Sequence, residues 1–391
     1  MPSTSSRIPA LALAALLCAS LAAPTLCLGA TPMPDTPRTY TNPLGDIHMG
    51  DPFVLKHEGS YYLFGTAGRG GFACWTSPDL VDWAPAGLAT HRTAETWGQT
   101  NFWAPEVRRY RGKFYMTYSA QRDRDAGFRL CLAVSDAPAG PYVDLHAPWL
   151  DIGWSTIDAD LFVDADGAPY IFFTKVGTEP NPPGSERDRH LYGITYGARL
   201  SDDLSAMVGD PVLCVQADQP WEQVERTRVL CNEGPFVFRV PDVLNDGSAA
   251  SENEGGPGRT PERSGRAAGR THERAGRAGY YMTYSSGHYA SPAYGIGYAT
   301  APSPLGPWAK SPDNPLVTTD VTAGVSGPGH NSITTSPDGK ELWMVYHAHA
   351  DAAHPSGNRT LNIDRLIVED DGTLRLLGPT RTPQPMPSGA P

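Results

Sequence analysis

Cysteine is scarce in this chain, basic charge is outweighed by acidic charge, and no long amphipathic helix period runs through it. Each absence narrows the possibilities. Only six of the 391 residues are cysteines, and their spacing shows no zinc pattern. Cys18 and Cys27 fall in an N-terminal apolar run, which leaves Cys74, Cys131, Cys214 and Cys231 for a mature chain. A Cys214–Cys231 disulfide would close a short loop beside Glu233; buried free thiols are the alternative. Lys and Arg total 31 against 42 Asp and Glu, a net charge of −11. That balance argues against nucleic acid or an anionic membrane as partner and is compatible with a neutral polysaccharide. The hydrophobic fraction of 40% is enough for a packed core.

What the chain does have is an internal repeat. Gly59-Ser60-Tyr61-Tyr62-Leu63-Phe64-Gly65-Thr66 recurs as Gly112-Lys113-Phe114-Tyr115-Met116-Thr117-Tyr118-Ser119 and as Gly167-Ala168-Pro169-Tyr170-Ile171-Phe172-Phe173-Thr174. It returns as Gly279-Tyr280-Tyr281-Met282-Thr283-Tyr284-Ser285 and Gly339-Lys340-Glu341-Leu342-Trp343-Met344-Val345-Tyr346. Each copy is a turn glycine followed by aromatic and β-branched residues, which is strand chemistry. A further strand-like run follows several copies, such as Phe72 to Ser77, Leu130 to Ser135 and Gly295 to Thr300. Five multi-stranded units predict an all-β chain and a five-bladed β-propeller, in which radial repetition leaves only short sheet edges. A two-sheet sandwich would not explain fivefold repetition.

Residues 1–30 read as a secretory signal: Arg7, then an apolar run from Ile8 to Leu28, then Gly29-Ala30 as a cleavage site. Pro9 and Pro24 inside the run count against an uncleaved anchor helix. The expected location is therefore secreted or periplasmic, with no membrane partner after cleavage. Residues 31–38 read as a flexible leader, 39–378 as the propeller domain and 379–391 as a C-terminal tail. Residues 242–278 are rich in Gly, Ser, Glu, Pro and Arg with almost no large apolar side chains, and are expected to form a disordered insertion.

Three acids head strand-like runs in three of the units: Asp51 in Gly50-Asp51-Pro52-Phe53-Val54, Asp158 in Thr156-Ile157-Asp158-Ala159-Asp160, and Glu233 in Asn232-Glu233-Gly234-Pro235-Phe236-Val237. His330 holds a similar place ahead of Gly339, and Phe102-Trp103-Ala104-Pro105-Glu106-Val107 is the matching stretch of the second unit. With Glu233 put in the same register by discounting the insertion, Asp51, Asp158, Glu233 and His330 should converge at one mouth with Trp103 beside them. Converging carboxylates are what cleavage of a glycosidic bond needs.

Taken together and in order, Asp-Pro-Phe-Val, Gly-x-Tyr-Tyr-Leu-x-Gly-Thr, Phe-Trp-Ala-Pro-Glu-Val, Thr-Ile-Asp, Glu-Gly-Pro-Phe-Val and Gly-x-Gly-His-x-Ser resemble glycoside hydrolase family 43, from about Tyr40 to Leu377. The likeness is strongest to its α-L-arabinofuranosidase-like members. The resemblance implies an inverting hydrolase with Asp51 as general base, Glu233 as general acid, and Asp158 raising the pKa of the acid and orienting it. The physics agrees: the base must be ionised while the acid keeps its proton, and a nearby negative charge with burial raises a carboxyl pKa. Asp160 has the same strand parity as Asp158 and competes for its role. Asp164 and Asp166 read as a hairpin turn, and Glu106 as structural.

The remaining candidates carry two readings each. Trp75 and Trp103 could stack on a sugar face or fill the core. Arg359 matches a family arginine that can approach the bound sugar; the other reading is a surface strand arginine. His48 could line the same mouth. His330 matches a family residue at the propeller axis that often helps hold a calcium ion through water, and is otherwise a core histidine; acid–base hydrolysis itself requires no metal. The implied substrate is plant cell-wall polysaccharide or oligosaccharide containing arabinose or xylose, with α-L-arabinofuranosyl residues removed from arabinan or arabinoxylan. β-Xylosidase and endo-arabinanase are alternatives on the same scaffold. A non-catalytic carbohydrate-binding propeller is disfavoured because all three acids are present. A retaining enzyme acting on fructosides is argued against by the Glu-Gly-Pro and Thr-Ile-Asp contexts.

Overall fold

The repeat glycines become hairpin turns: Gly59, Gly112, Gly167 and Gly339 all adopt positive φ, between 73° and 83°, which glycine reaches without a side-chain clash. The computed structural model describes residues 37–66, 70–123, 127–240 and 279–391. The signal segment, most of the leader and the 242–278 insertion lie outside them. Strand β1 (Thr39–Tyr40) precedes a first antiparallel group of β2 (Gly50–His57), β3 (Ser60–Thr66), β4 (Gly71–Ser77) and β5 (Ala84–His91). The second group is β6 (Thr100–Tyr110), β7 (Lys113–Gln121), β8 (Arg129–Ser135) and β9 (Val143–Trp149), and the third is β10 (Thr156–Val163), β11 (Pro169–Pro180), β12 (Arg189–Leu200) and β13 (Met207–Gln216). A 3-10 turn at Pro220–Gln223 leads to the fourth group, β14 (Val229–Phe238), β15 (Tyr280–Ser286), β16 (Gly295–Ala301) and β17 (Ala309–Lys310). The fifth is β18 (Gly329–Thr335), β19 (Leu342–His349), β20 (Arg359–Val368) and β21 (Leu374–Leu376).

The chain is all-β, as the strand-forming repeats require. Two features depart from five separate sheets with loose ends. Leu191, Tyr192 and Gly193 of β12 pair in parallel with Val229, Leu230 and Cys231 of β14, which merges the third and fourth groups into one sheet. The C-terminal segment is also part of the fold: β22 (Gln384–Pro385) pairs with β1, and at the end of the leader Arg38 bonds Asp82 at 2.7 Å. Among the described residues no helix is long and apolar enough to cross a membrane.

The repeat aromatics fill the core. Tyr61, Phe64, Tyr118, Phe172, Phe173, Tyr281, Tyr284 and Tyr346 are all fully buried. Side chains of this size dominate the apolar area a fold removes from water. Their packing seats the first strands against one another: β2 lies against β6, β6 against β10, β10 against β14, β14 against β18, and β18 against β2.

Each first strand is bulged at the same place. The register breaks between Gly50 and Phe53, Trp103 and Glu106, Ile157 and Asp160, Glu233 and Phe236, and Gly329 and Ser332. Within each break one residue is left-handed: Asp51 (φ 53°), Ala104 (45°), Asp158 (57°), Gly234 (59°) and His330 (47°). Such bulges re-aim side chains, and left-handed non-glycine residues persist only where the surroundings hold them. The alignment corrects one expectation. Asp51, Asp158 and His330 are equivalent, but Glu233 stands one residue earlier, level with Gly50, Trp103, Ile157 and Gly329, and Gly234 takes the left-handed position. Neighbouring groups are latched at this level. The N–H of Ala104 donates to Thr66 Oγ1 (2.8 Å), that of Asp158 to Ser119 Oγ (2.9 Å), that of His330 to Ser285 Oγ (2.7 Å) and that of Asp51 to His347 Nδ1 (3.0 Å). Gly234 breaks the pattern by donating to Asp158 Oδ2 at 3.1 Å, and Thr174 Oγ1, which would have been its partner, is buried with none among the described residues.

Candidate active site

The bulges bring Asp51, Asp158 and His330 to one place. Asp51 Oδ1 accepts a bond from Arg359 Nη1 at 2.8 Å, and His330 Nδ1 lies 3.4 Å from the same oxygen and 4.0 Å from Asp158 Oδ2. Arg359 reaches Asp51 by crossing Gly50: a Cβ at residue 50 would fall inside the guanidinium. Burial alone would raise the Asp51 pKa, but the Arg359 charge holds the carboxyl well below the usual carboxylate range. His347 accepts the Asp51 N–H through Nδ1, so its proton sits on Nε2, which is buried without a partner among the described residues. Burial and the Arg359 charge push its pKa well below the imidazole range. It is a neutral brace, and its 3.6 Å approach to Asp51 Oδ1 is not an ion pair.

The other two acids are displaced the opposite way. Burial, then repulsion from Glu233 and Asp51, pushes Asp158 well above its ordinary value, against the single Gly234 N–H bond that favours the charge. Burial also raises Glu233, with Asp51 adding to the effect, although Tyr294 and Cys231 pull it back. Tyr294 donates its hydroxyl to Glu233 Oε1 at 2.7 Å, and Cys231 Sγ lies 3.4 Å from Oε2. Burial and the Glu233 charge raise the Cys231 thiol well above its usual range, so it stays protonated and donates. Burial and mutual repulsion thus let the Asp158–Glu233 pair keep a proton to higher pH than separate carboxyls would, while Asp51 next to Arg359 is ionised.

The other sequence candidates divide. Arg359 is part of the cluster. Trp103 aligns with Glu233 in the repeat and packs on Phe128, ring centroids 4.2 Å apart. Trp75 is opposite Leu63 and Pro85 in the sheet and packs against the core that contains Val54, Tyr61 and Trp343; it is core filler and is not brought to the carboxylates. His48 lies on the surface beside the Arg359 strand, 2.7 Å from Asn358 Oδ1 and 3.1 Å from Asp46 Oδ1. Asp160 is taken up elsewhere, by Arg108 at 2.9 Å and the Val237 N–H at 2.7 Å, and Glu106 is buried beside it. All four cysteines of the expected mature chain are buried free thiols. The Cys214–Cys231 bridge is not formed, because Cys231 is turned to Glu233 while Cys214 packs with Phe172 and Met282. The donor set around His330 does not fit direct ligation of calcium, which wants an oxygen cage. Its Nδ1 faces Asp51, and among the described residues no three His, Cys, Asp or Glu side chains are grouped to hold an ion.

Sequence reading missed His347, Tyr294 and Tyr289. The strand register makes His347 equivalent to Thr66, Ser119, Thr174 and Ser285, the last residues of the first four repeat copies, but it falls one residue beyond the fifth copy, so the repeat alone did not mark it. Tyr294 and Tyr289 belong to a loop with no counterpart in the repeat, so nothing in the periodicity marked them.

Comparison with known proteins extends the geometry. The sequence model described as glycosyl hydrolases family 43 matches residues 40–244 and 264–374; the interruption falls inside the segment read as an insertion. The chain is 25% identical over 351 residues to a β-D-galactofuranosidase of Aspergillus niger, covering 85% of this chain and 83% of that protein. It is 25% identical over 339 residues to an extracellular exo-α-(1→5)-L-arabinofuranosidase of Streptomyces chartreusis, covering 80% and 83%. Among solved structures, a thermostable family-43 glycoside hydrolase matches with a TM-score of 0.74 at 45% identity, over 89% of this chain and 99% of that one.

Proposed function

The chain belongs to glycosyl hydrolase family 43 and is a glycoside hydrolase; from that premise we propose that it is an inverting enzyme removing α-L-arabinofuranosyl residues from arabinan or arabinoxylan. Asp51 is the general base and Glu233 the general acid. The observation that carries this reading is the opposite displacement of carboxyl groups in one site: Asp51 is held ionised by Arg359, while Asp158 and Glu233 are pushed toward the protonated form. Pairs of carboxyls driven apart in this way are how a site runs acid and base chemistry at one pH. In the proposed step a water gives its proton to Asp51 as its oxygen attacks the anomeric carbon. The glycosidic bond breaks from the opposite face, and the departing oxygen takes the proton of Glu233, so the configuration inverts. Asp158 shares the pair's proton with Glu233 and, through the Gly234 N–H, anchors the strand turn that follows the acid.

The five strand groups, their first strands in contact one after the next, and the latch from His347 of the last group to Asp51 of the first support reading the architecture as a five-bladed β-propeller. Secretion is proposed from the signal-like residues 1–30 and the extracellular arabinofuranosidase relative. The name of the Aspergillus relative favours a second reading: β-D-galactofuranose has the same ring configuration as α-L-arabinofuranose with a longer exocyclic arm, so one pocket could take either. β-Xylosidase and endo-arabinanase activity remain as outcomes of the test. Purified mature protein is assayed against aryl α-L-arabinofuranoside, β-D-galactofuranoside and β-D-xylopyranoside, with Glu233→Ala as control. The proposal expects arabinofuranoside cleavage, and loss of arabinose release from arabinan in the control. Faster cleavage of another glycoside overturns the substrate, and arabinose release from arabinan, whose leaving sugar needs an acid, that survives Glu233→Ala overturns the acid assignment. If none is cleaved, release of oligosaccharides from linear arabinan separates an endo-enzyme from a binding protein.

A further inference from the structure

One loop touches the supports of both proposed catalytic carboxyls. The loop 287–294, between β15 and β16, is held by hydrogen bonds from the Ser291 N–H to His288 O (2.7 Å), the Tyr294 N–H to Ser291 O (3.1 Å) and the Gly287 N–H to Cys231 O (3.3 Å). At its end the Tyr294 hydroxyl donates to Glu233 Oε1 at 2.7 Å. The Tyr294 ring is fully buried and stacks parallel on His347, centroids 5.7 Å apart and planes 6° apart. It occupies the space that a side chain at Gly329 would need. Earlier in the loop the Tyr289 ring lies 4.8 Å from the Arg359 guanidinium, and its carbonyl accepts from His349 Nε2 at 2.9 Å.

Resting on the assignment of Glu233 as general acid, we propose that Tyr294 is a positioning residue for that acid: its hydroxyl fixes Glu233 Oε1, and its ring, braced on His347, keys that carboxyl to the imidazole that supports Asp51. A general acid must present its proton in a defined direction. With Oε1 committed to a strong O–H donor, Oε2, whose partner is the weak thiol donor of Cys231, is the oxygen that carries the transferable proton. The charged and titratable groups that act on Glu233 are Tyr294, Cys231, Asp51, Asp158 and Arg359. Of its two hydrogen-bond donors, Tyr294 at 2.7 Å is closer than Cys231 at 3.4 Å.

The test uses the purified enzyme, Tyr294→Phe, Glu233→Ala and two arabinofuranosides, one with a dinitrophenyl and one with a poorly departing alkyl group. A good leaving group needs little help from an acid, so loss confined to the poor one reports on acid placement. Tyr294→Phe should lower kcat/KM for the alkyl substrate by on the order of tenfold or more, and for the dinitrophenyl substrate by less than about threefold. Removing a donor to the ionised form raises the Glu233 pKa, so the basic limb of the kcat/KM profile should move up by about one pH unit. Full-length enzyme carrying 3-fluorotyrosine at position 294, a stronger donor of nearly the same shape, should move the limb the other way and decides the matter if the Phe variant does not fold. Unmoved limbs, or equal loss on both substrates, overturn the proposal while Glu233→Ala remains dead on the alkyl substrate. Alkyl-substrate activity in Glu233→Ala overturns the acid assignment and the proposal with it.

Discussion

Removing the Arg359 charge should change the pH dependence of catalysis more than it changes the fold. The guanidinium lies 2.8 Å from Asp51 Oδ1, with the two side chains 10% and 12% exposed. At that distance two unit charges interact by about 1.5 kcal/mol in bulk water and about 6 kcal/mol at an effective dielectric of about 20. At about 1.4 kcal/mol per pKa unit, losing the charge should raise the Asp51 pKa by roughly one to four units. The burial that opposes ionisation would then be left uncompensated. The acidic limb of kcat/KM for Arg359→Met should therefore shift upward by that amount. Gly50→Ala should reproduce the shift, because its Cβ evicts the guanidinium, and the double variant should be no worse than either single one, as expected of two changes to one interaction. The stability effect has a definite sign. A carboxyl whose folded pKa is depressed adds stability above its unfolded value of about 4 and loses it as pH falls through the folded pKa. The Tm gap between wild type and Arg359→Met should accordingly narrow below about pH 4. An unmoved acidic limb with only KM raised would refute the reasoning and make Arg359 a sugar contact alone.

Three further expectations follow from the same geometry. Asp158→Asn removes the carboxyl that shares a proton with Glu233, so the basic limb of kcat/KM should move to lower pH, whereas Asp160→Asn, bonded to Arg108 and Val237, should leave that limb in place and reduce Tm instead. Ser119→Ala strands the buried Asp158 N–H and should cost about 1–3 kcal/mol in denaturant unfolding, while Thr174→Val discards a hydroxyl that already lacks a partner and should change stability by less than about 0.5 kcal/mol. Alkylation of the mature protein followed by mass measurement should find Cys74, Cys131, Cys214 and Cys231 all modified after unfolding without reductant, and essentially unmodified before it, since all four are buried; a Cys214–Cys231 bridge would appear as two unreactive thiols.

The sequence by itself determined the all-β character and the repeat, because turn glycines and aromatic strand residues are local signals that recur copy after copy. It also determined which family motifs are present, and so the three acids and Arg359. The tertiary structure decided how those residues relate. Glu233 is not the fourth member of the Asp51–Asp158–His330 register: the bulge puts it one residue ahead, and a bulge is a count of residues between two strands, invisible in either strand alone. His347 and Tyr294 became part of the site because the first strand of the fifth group packs against that of the first and a loop from the fourth packs on His347 and Arg359 of the fifth. These are contacts between residues far apart in the chain, and no period announces them. Trp75 and Trp103 illustrate the same limit. Both are tryptophans in strand-like runs, and only packing decides that one fills the core between sheets while the other stands level with the acid. The opposite displacement of the Asp51 and Glu233 carboxyls is likewise a tertiary property, since it depends on which cation or hydroxyl the fold brings to each buried group.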